Sequence, residues 1–195
     1  MKVYSQKRSG THLLMATLHA NFVLPDMAVK VHVPGQKFAT TNTAKAVVPW
    51  GNLFGSHAAN TGLDLSSAIY AIRHPVYRAY SAWRFEGRGT FVAFATARLF
   101  ANWKYHAESY AGAFWFRYED MKGQRLLVRL EELRLHFGLT MQHESYQAIN
   151  RPVGWSPREG QTEYDIAQRV WDVAREVLGD KCHGYAISPE PSLKI

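Results

Sequence analysis

Two segments of the chain combine residue types that suit an anionic ligand. Residues 7–11 read Lys-Arg-Ser-Gly-Thr, and farther along Arg73 is followed eight residues later by Ser81. Glycine lets backbone amides approach a ligand, hydroxyls donate hydrogen bonds, and arginine offers two parallel N–H groups to a phosphate. A helix beginning after Gly10 would add the unpaired N–H groups and partial positive charge of its first turn. These types favour phosphate binding, and a capped helix start with surface cations is the plainer alternative.

The first segment differs from the phosphate loop of nucleoside triphosphatases. That loop needs a glycine, four residues and then Gly-Lys-Ser/Thr, in which the lysine grips phosphates and the hydroxyl holds Mg²⁺. Here Ser5 stands at the place of the first glycine, and Gly10 is followed by Thr11 and His12. The missing lysine and hydroxyl argue against an enzyme that uses Mg-ATP or Mg-GTP.

The hydropathy pattern predicts strands and helices that alternate along the chain. Strands are predicted at residues 1–5, 27–33, 67–72 and 113–118, with short apolar pieces, strand or loop, at 46–50 and 53–56. Helices are predicted at 11–22, at 76–85 after Pro75, and at 91–110, 122–137 and 162–178. Such alternation indicates an α/β fold with a mainly parallel sheet, and no linker divides the chain into two domains. Because ligands bind beyond the carboxyl ends of parallel strands, both cationic segments are well placed.

The positive charge of the chain is concentrated in its first half. Of the 195 residues, 47% are hydrophobic and 20% charged, which is typical of a globular protein and argues against disorder. Residues 1–98 hold 11 of the 23 basic residues but 3 of the 16 acidic ones, which leaves +8 there and −1 in the remainder. The first half therefore favours an anionic partner: a nucleic acid, a membrane or a small phosphorylated ligand.

Cysteine content and apolar run lengths exclude several classes of protein. Cys182 is the only cysteine, so an intrachain disulfide and a cysteine-based zinc site are excluded, and no metal site is expected. No run approaches about 18 apolar residues, as a membrane span requires. Residues 1–4 lead directly into a polar loop rather than the apolar core of a signal peptide. We expect a soluble, cytoplasmic protein.

Three segments in chain order resemble the cytosolic-type sulfotransferases, whose donor is 3′-phosphoadenosine 5′-phosphosulfate (PAPS). Residues 8–11 (Arg-Ser-Gly-Thr) match the loop that cradles the 5′-phosphosulfate, with Lys7 in place of the usual proline. Residues 73–75 (Arg-His-Pro) and Ser81 match the motif that binds the 3′-phosphate. Residues 118–122 (Tyr-Glu-Asp-Met-Lys) match a later segment whose tyrosine lies near the adenine. The resemblance covers roughly residues 1–137.

The resemblance implies a fold, a reaction and a set of ligands. The fold would be a single domain over residues 1–195, a three-layer sandwich with a P-loop-like phosphosulfate-binding loop. The reaction would move a sulfuryl group from PAPS to a hydroxyl or amine, leaving adenosine 3′,5′-bisphosphate (PAP), and would not require a metal. The acceptor would be a small molecule or carbohydrate. Further cations without an assigned role leave open that it is anionic: Lys30, Lys37, Lys45, Arg78, Arg84 and Arg88. Its identity and the oligomeric state stay open.

The resemblance also assigns roles to particular residues. The acceptor must lose a proton as it attacks sulfur, and negative charge grows on the bridging oxygen, so a base and a cation are needed. We expect His57 as the base, and Arg8 or Lys7 at the bridging oxygen. His12, His32, Asp26 and Asp64 are alternatives for the base. The residues expected to bind the nucleotide are Lys7, Arg8, Ser9, Gly10, Thr11, His12, Arg73, Ser81, Tyr118, Arg151 and Arg158.

Two other classes of function remain as alternatives. A non-catalytic nucleic-acid-binding protein would use the basic first half, although no recognition helix, RNA-binding sheet or zinc-finger pattern occurs. A nucleotide kinase of related architecture would need the lysine and hydroxyl that residues 11–12 lack. Of these readings, the sequence favours the sulfotransferase.

Overall fold

The structure is a computed structural model and describes residues 2–6, 8–23, 65–86, 89–121, 123–147 and 166–189. The strands within these ranges are β1 (Lys2–Ser5), β2 (Ala68–Ile72), β3 (Phe114–Arg117), β4 (Lys181–Cys182) and β5 (Tyr185–Ala186). The helices are α1 (Thr11–Asn21), α2 (Pro75–Glu86), α3 (Phe91–Phe94), α4 (Ala97–Glu108), α5 (Gly123–Phe137) and α6 (Gln168–Leu178). Single turns of 3₁₀ helix occupy Leu65–Ser67 and Tyr118–Asp120.

Strands β1, β2 and β3 form a parallel sheet with β2 in the middle. Ser5 of β1 lies opposite Ala71 of β2, and Ile72 of β2 lies opposite Arg117 of β3, so the three strands end nearly level. All five residues of β2 are buried, as in parallel strands that are covered on both faces. The predicted α/β class and parallel sheet are therefore confirmed. Strands β4 and β5 form a separate antiparallel hairpin.

Helices α1 and α5 cover one face of this sheet with aliphatic side chains. The buried cluster consists of Val3, Ile69, Ala71 and Phe116 from the strands, Leu14, Leu18 and Phe22 from α1 and the residue after it, and Met121, Leu126, Leu130 and Leu133 from α5 and the turn before it. Burying each large apolar side chain contributes about 1.5–3 kcal/mol to folding. This cluster fixes α1, and with it the loop that precedes α1.

The opposite face of the sheet carries aromatic side chains, because successive strand residues point to alternate faces. Tyr70 of β2 stacks on Tyr110 with ring centroids 4.8 Å apart, and Tyr4 of β1 approaches the same ring at 5.1 Å. Trp115 of β3 meets Tyr70 edge-on at 5.8 Å and donates from Nε1 to the Tyr110 carbonyl oxygen at 2.7 Å. Burial raises the pKa of the Tyr4 hydroxyl, and nearby Tyr110 raises it further. The stacked rings explain why β2 is also buried on this face.

The segment after α5 is hydrogen-bonded to the carboxyl end of α1. Buried Asn21 donates from Nδ2 to the carbonyl oxygens of Thr17 at 2.7 Å and Gln147 at 2.9 Å, and its Oδ1 accepts the Gln147 amide at 2.6 Å. The backbone amide of Gln142 donates to the Asn21 carbonyl oxygen at 2.9 Å. Asn21 thus satisfies backbone groups of two chain segments with a single side chain.

One predicted helix is wrong, and one hairpin was not predicted. The helix expected at 91–110 is divided into α3 and α4, because Thr96 leaves the helical conformation and its hydroxyl accepts the Leu99 amide as an N-cap. The apolar periodicity runs on across this break and conceals it. The β4–β5 hairpin is only two residues deep on each side and has no hydropathy signal of its own. The predicted pieces at 27–33, 46–50 and 53–56 lie outside the described residues.

The chain divides into two compact units. The first takes in Met1–Arg73 and Tyr110–Trp155, and the second His74–Ser109 and Ser156–Ile195. The single domain expected over residues 1–195 stays a prediction. Among the described helices none is both long and apolar enough to cross a membrane.

Buried His74 organises the second unit. Its Nδ1 accepts the Val76 amide at 3.3 Å, which caps α2, and its Nε2 donates to the Ala186 carbonyl oxygen at 2.9 Å. The rings of Trp171 and Tyr185 lie edge-on at 5.7 and 5.3 Å. Since Nδ1 must be unprotonated to accept, these partners define a neutral ring with its proton on Nε2.

Candidate functional site

The candidate site lies at the carboxyl edge of the parallel sheet. Residues 6–10 follow β1, Arg73 follows β2, and Tyr118 follows β3. Because the three strands are parallel and end level, segments that are far apart in sequence meet at this edge. Three of the segments singled out from the sequence therefore share one end of the first compact unit.

The loop after β1 turns sharply into α1. Arg8 and Gly10 both have left-handed backbone, with φ of 71° and 83°. Between them, Ser9 is buried and its amide donates to the Gln6 carbonyl oxygen at 3.2 Å. The hydroxyls of Ser5 and Thr11 hydrogen-bond each other across the loop. A non-glycine residue with positive φ is uncommon and costs of the order of 1 kcal/mol, so Arg8 is held in place by its surroundings.

Arg73 connects the ends of all three strands. It is only 8% exposed, its Cζ lies 4.3 Å from the centroid of the Tyr118 ring, and its Nη1 makes a long hydrogen bond of 3.4 Å to the Arg8 carbonyl oxygen. A guanidinium over an aromatic ring is attracted by the ring's electron-rich face. The side chain is thereby held in one place beside the loop.

Arg8 and Arg73 place two positive charges close together. The pKa of Arg8 is lowered, first because burial disfavours its charge and next because the Arg73 charge repels it, while Tyr118 opposes the shift. An arginine nevertheless stays protonated near neutral pH. A bound anion would relieve both the desolvation and the repulsion, so the electrostatics of this edge favour an anionic ligand.

The ring of Tyr118 lies directly against Gly10. A Cβ atom at Gly10 would be 2.3 Å from Cδ2 of Tyr118, closer than real Cβ atoms come, and 3.0 Å from Cε2. Glycine is therefore required at position 10 for two reasons: the positive φ and the close contact with the ring.

The remaining predicted residues are distributed as follows. Thr11 and His12 are the first two residues of α1, and Ser81 lies within α2 in the second compact unit, with a partly exposed side chain. Its role beside Arg73 stays a prediction. Lys7, His57, Arg151 and Arg158 lie outside the described residues, as do the alternative bases His32, Asp26 and Asp64.

Comparison with known proteins finds no match for this chain. No protein-family model, curated protein or solved structure matches it. The assignment of a function therefore rests on the residues and on their arrangement at the sheet edge.

Two features of this edge were not found from the sequence. The hydroxyl of Ser5 bonds Thr11, although the sequence marked Ser5 only as a substitute for glycine. The Gly10–Tyr118 contact joins residues more than a hundred positions apart, and nothing local to either residue announces it. Both residues follow predicted parallel strands, whose carboxyl ends meet at one edge of a sheet. This is the signal that could have suggested the contact.

Proposed function

We propose that this protein is a sulfotransferase that moves a sulfuryl group from PAPS to a hydroxyl or amine of an acceptor. The observation that carries the proposal is the meeting of Arg8, Gly10, Arg73 and Tyr118 at one sheet edge. These residues belong to the three sequence segments that resemble the family's donor-binding motifs. A chance resemblance of separate segments would not require them to be neighbours in space.

The proposal includes a finer architecture for the sheet edge. In it, residues 6–10 form a P-loop-like phosphosulfate-binding loop within a three-layer sandwich. The left-handed backbone at Arg8 and Gly10 supports this role, as does the start of α1 at Gly10, where no side chain caps the helix. Thr11 and His12 stand where a triphosphatase loop has its lysine and its Mg²⁺-binding hydroxyl, which is consistent with a sulfate-bearing rather than a Mg-triphosphate ligand.

The two cations suit a nucleotide that carries a charged group at each end. Arg8 would lie at the 5′-phosphosulfate, where it keeps its charge and stabilises the negative charge that grows on the bridging oxygen. Arg73 would hold the 3′-phosphate through the paired N–H groups of its guanidinium. PAPS supplies the activated sulfuryl group. His57 is proposed as the base that accepts the acceptor's proton.

The direct test is transfer from PAPS labelled with ³⁵S to a panel of hydroxyl and amine acceptors, together with calorimetric titration of PAP. We expect labelled product and PAP binding, and we expect both to persist in a metal chelator. Neither transfer nor PAP binding would overturn the proposal. Phosphate transfer from Mg-ATP would indicate the kinase, and affinity that grows with oligonucleotide length but ignores PAP would indicate a nucleic-acid-binding protein.

Arg73→Ala provides the sharpest mutational test. A charge-assisted, bidentate contact contributes about 1.5–3 kcal/mol, so we expect PAP to bind at least tenfold more weakly. Arg125→Ala is the matched control, because Arg125 is an exposed arginine on α5 in the same compact unit. Calorimetry should find its affinity within twofold of wild type. Equal affinities for the two variants would remove Arg73 from the site.

A further inference from the structure

We infer that Tyr118 is a positioning residue that sets the distance between Arg73 and residues 8–10 of the loop after β1. The inference rests on the proposed function for the identity of the ligand. That Tyr118 lies near the adenine stays a prediction. Its observed contacts join the two places where the ligand's charged groups would bind.

The first contact is with the loop. One side of the Tyr118 ring, Cδ2 and Cε2, occupies the space that a Cβ atom of Gly10 would take. The ring therefore rests on the loop backbone itself, at the residue where the loop enters α1. The loop cannot move any closer to the ring, so Tyr118 limits the position of the loop on this side.

The second contact is with Arg73. The guanidinium lies over the ring at 4.3 Å from the centroid, while Nη1 reaches the Arg8 carbonyl oxygen. The ring thus supports the cation from one side, and the loop backbone holds it from the other. A cation–aromatic pair of this kind is stronger when it is removed from water, and Arg73 is buried.

The ring is itself held by the core. Tyr118 packs against the cluster between the sheet and helices α1 and α5, and it begins the 3₁₀ turn directly after β3. The position of the Tyr118 ring is therefore fixed by the core, and the ring in turn fixes the positions of Arg73 and of the loop after β1. A ligand with charged groups at both ends depends on the spacing that this support sets, whereas a ligand with one phosphate does not.

The test compares two nucleotides in three variants of Tyr118. Tyr118→Leu and Tyr118→Ala remove the ring, and we expect PAP to bind about tenfold more weakly while the affinity for adenosine 5′-monophosphate changes less than twofold. Tyr118→Phe keeps the ring and should bind both nucleotides as wild type does. A loss of PAP binding in Tyr118→Phe would mean that the hydroxyl contacts the nucleotide, and it would overturn the positioning role.

Gly10→Ala tests the contact from the other side. It introduces both a strained positive φ and a clash with Tyr118, whereas Gly138→Ala introduces only a strained φ of 62° with no atom within 4 Å. We expect Gly10→Ala to lower the stability and PAP affinity more than Gly138→Ala does. Adding Tyr118→Leu should restore part of the lost stability, because the two changes are coupled. Strict additivity would contradict the contact.

A measurement without nucleotide separates this inference from the proposed function. In ¹⁵N NMR spectra of the free protein, the Arg73 Nε–H signal should be narrow and protected in wild type and Tyr118→Phe, and averaged in Tyr118→Leu. An unchanged signal in all three variants overturns the inference even if PAP binds. Failure of wild type to bind PAP overturns the proposed function, and the NMR result then decides the positioning role by itself.

Discussion

In the proposed function, Arg8 binds the anionic ligand at the cost of the stability of the folded protein. Its backbone is left-handed, its side chain is partly buried, and the Arg73 charge lowers its pKa. Each of these features costs stability in the free protein, and none would be needed for a simple turn. Such costs persist at positions where the side chain serves a ligand. Arg8 therefore offers a residue-scale test of whether the loop is a binding loop.

We expect Arg8→Gly to be more stable than Arg8→Ala by about 1 kcal/mol, because glycine adopts positive φ without strain. Both variants should bind PAP more weakly than wild type, since both lose the cation. Denaturant unfolding and calorimetry measure the two effects.

The matched pair of control variants is Arg125→Gly and Arg125→Ala in α5. There the alanine variant should be the more stable one, because glycine is less favourable than alanine in a helix by up to about 1 kcal/mol. The same order at both positions would show that Arg8 is not held in a left-handed conformation. Unchanged PAP affinity in the Arg8 variants would place the bound charge elsewhere.

At the scale of elements, α1 is fixed at both ends. Its first turn joins the loop at the sheet edge, and its last turn is tied through Asn21 to residues 142–147 after α5. A helix of 11 residues is marginal in isolation, so its position depends on these attachments and on the core face. The attachment at the carboxyl end should therefore influence folding more than ligand binding.

Asn21→Ala should lower the free energy of unfolding by about 1–3 kcal/mol, because the backbone amide and carbonyl oxygen of Gln147 lose their partly buried hydrogen bonds to the Asn21 side chain. PAP affinity should stay within twofold. Gln147→Ala is the control, since it keeps the backbone that Asn21 contacts and should cost no more than about 0.5 kcal/mol. Denaturant unfolding that finds the two variants equally stable would refute this role of Asn21.

At the scale of the whole molecule, the hydrogen-bond network of Glu131, Arg134 and Tyr146 makes the stability of the folded state depend on pH. Arg134 donates from Nε and Nη2 to the two carboxylate oxygens of Glu131 at 2.9 and 2.7 Å, and the Tyr146 hydroxyl donates to the same carboxylate. These hydrogen bonds lower the pKa of Glu131 from 4.5 to about 2. Burial, together with the hydrogen bond to Glu131, raises the pKa of Tyr146 from 10.0 to about 12.

The two shifts act at opposite ends of the pH scale. A lowered carboxyl pKa contributes stability that is complete above about pH 4.5 and is lost as the pH falls toward 2. A raised phenol pKa contributes stability that is complete below pH 10 and is lost as the pH rises toward 12. Unfolding curves of Glu131→Gln should therefore depend less on pH than wild type between 4.5 and 2, and those of Tyr146→Phe less between 10 and 12.

Glu144→Gln changes an exposed carboxylate in the same part of the chain and serves as the acid-side control. Its stability should follow the wild-type curve. A Glu131→Gln curve with the full wild-type slope would contradict the network.

The sequence predicted the sheet and the three segments at its carboxyl edge because strand ends carry strong local signals. Arg73 and Tyr118 directly follow apolar strands, Gly10 closes the loop after β1, and parallel pairing places the ends of such strands together. The contacts between these residues could not be predicted, because they depend on the left-handed turn at Arg8 and on the distance across β2. The break at Thr96 was missed because an N-cap hydroxyl within a continuous apolar pattern resembles any other threonine.

The order of strands in the sheet also determines when, during synthesis, the contacts around the loop after β1 can form. Lys2 pairs with Ala68, and Ile69 pairs with Phe114, so both pairings must close loops of several tens of residues. Contacts of such long range form slowly. A nascent chain that ends before β3 contains the loop and Arg73 but lacks the Tyr118 ring between them. The contacts of Tyr118 with Gly10 and Arg73 can therefore form only after residue 118 has left the ribosome, long after both of these partners have been made.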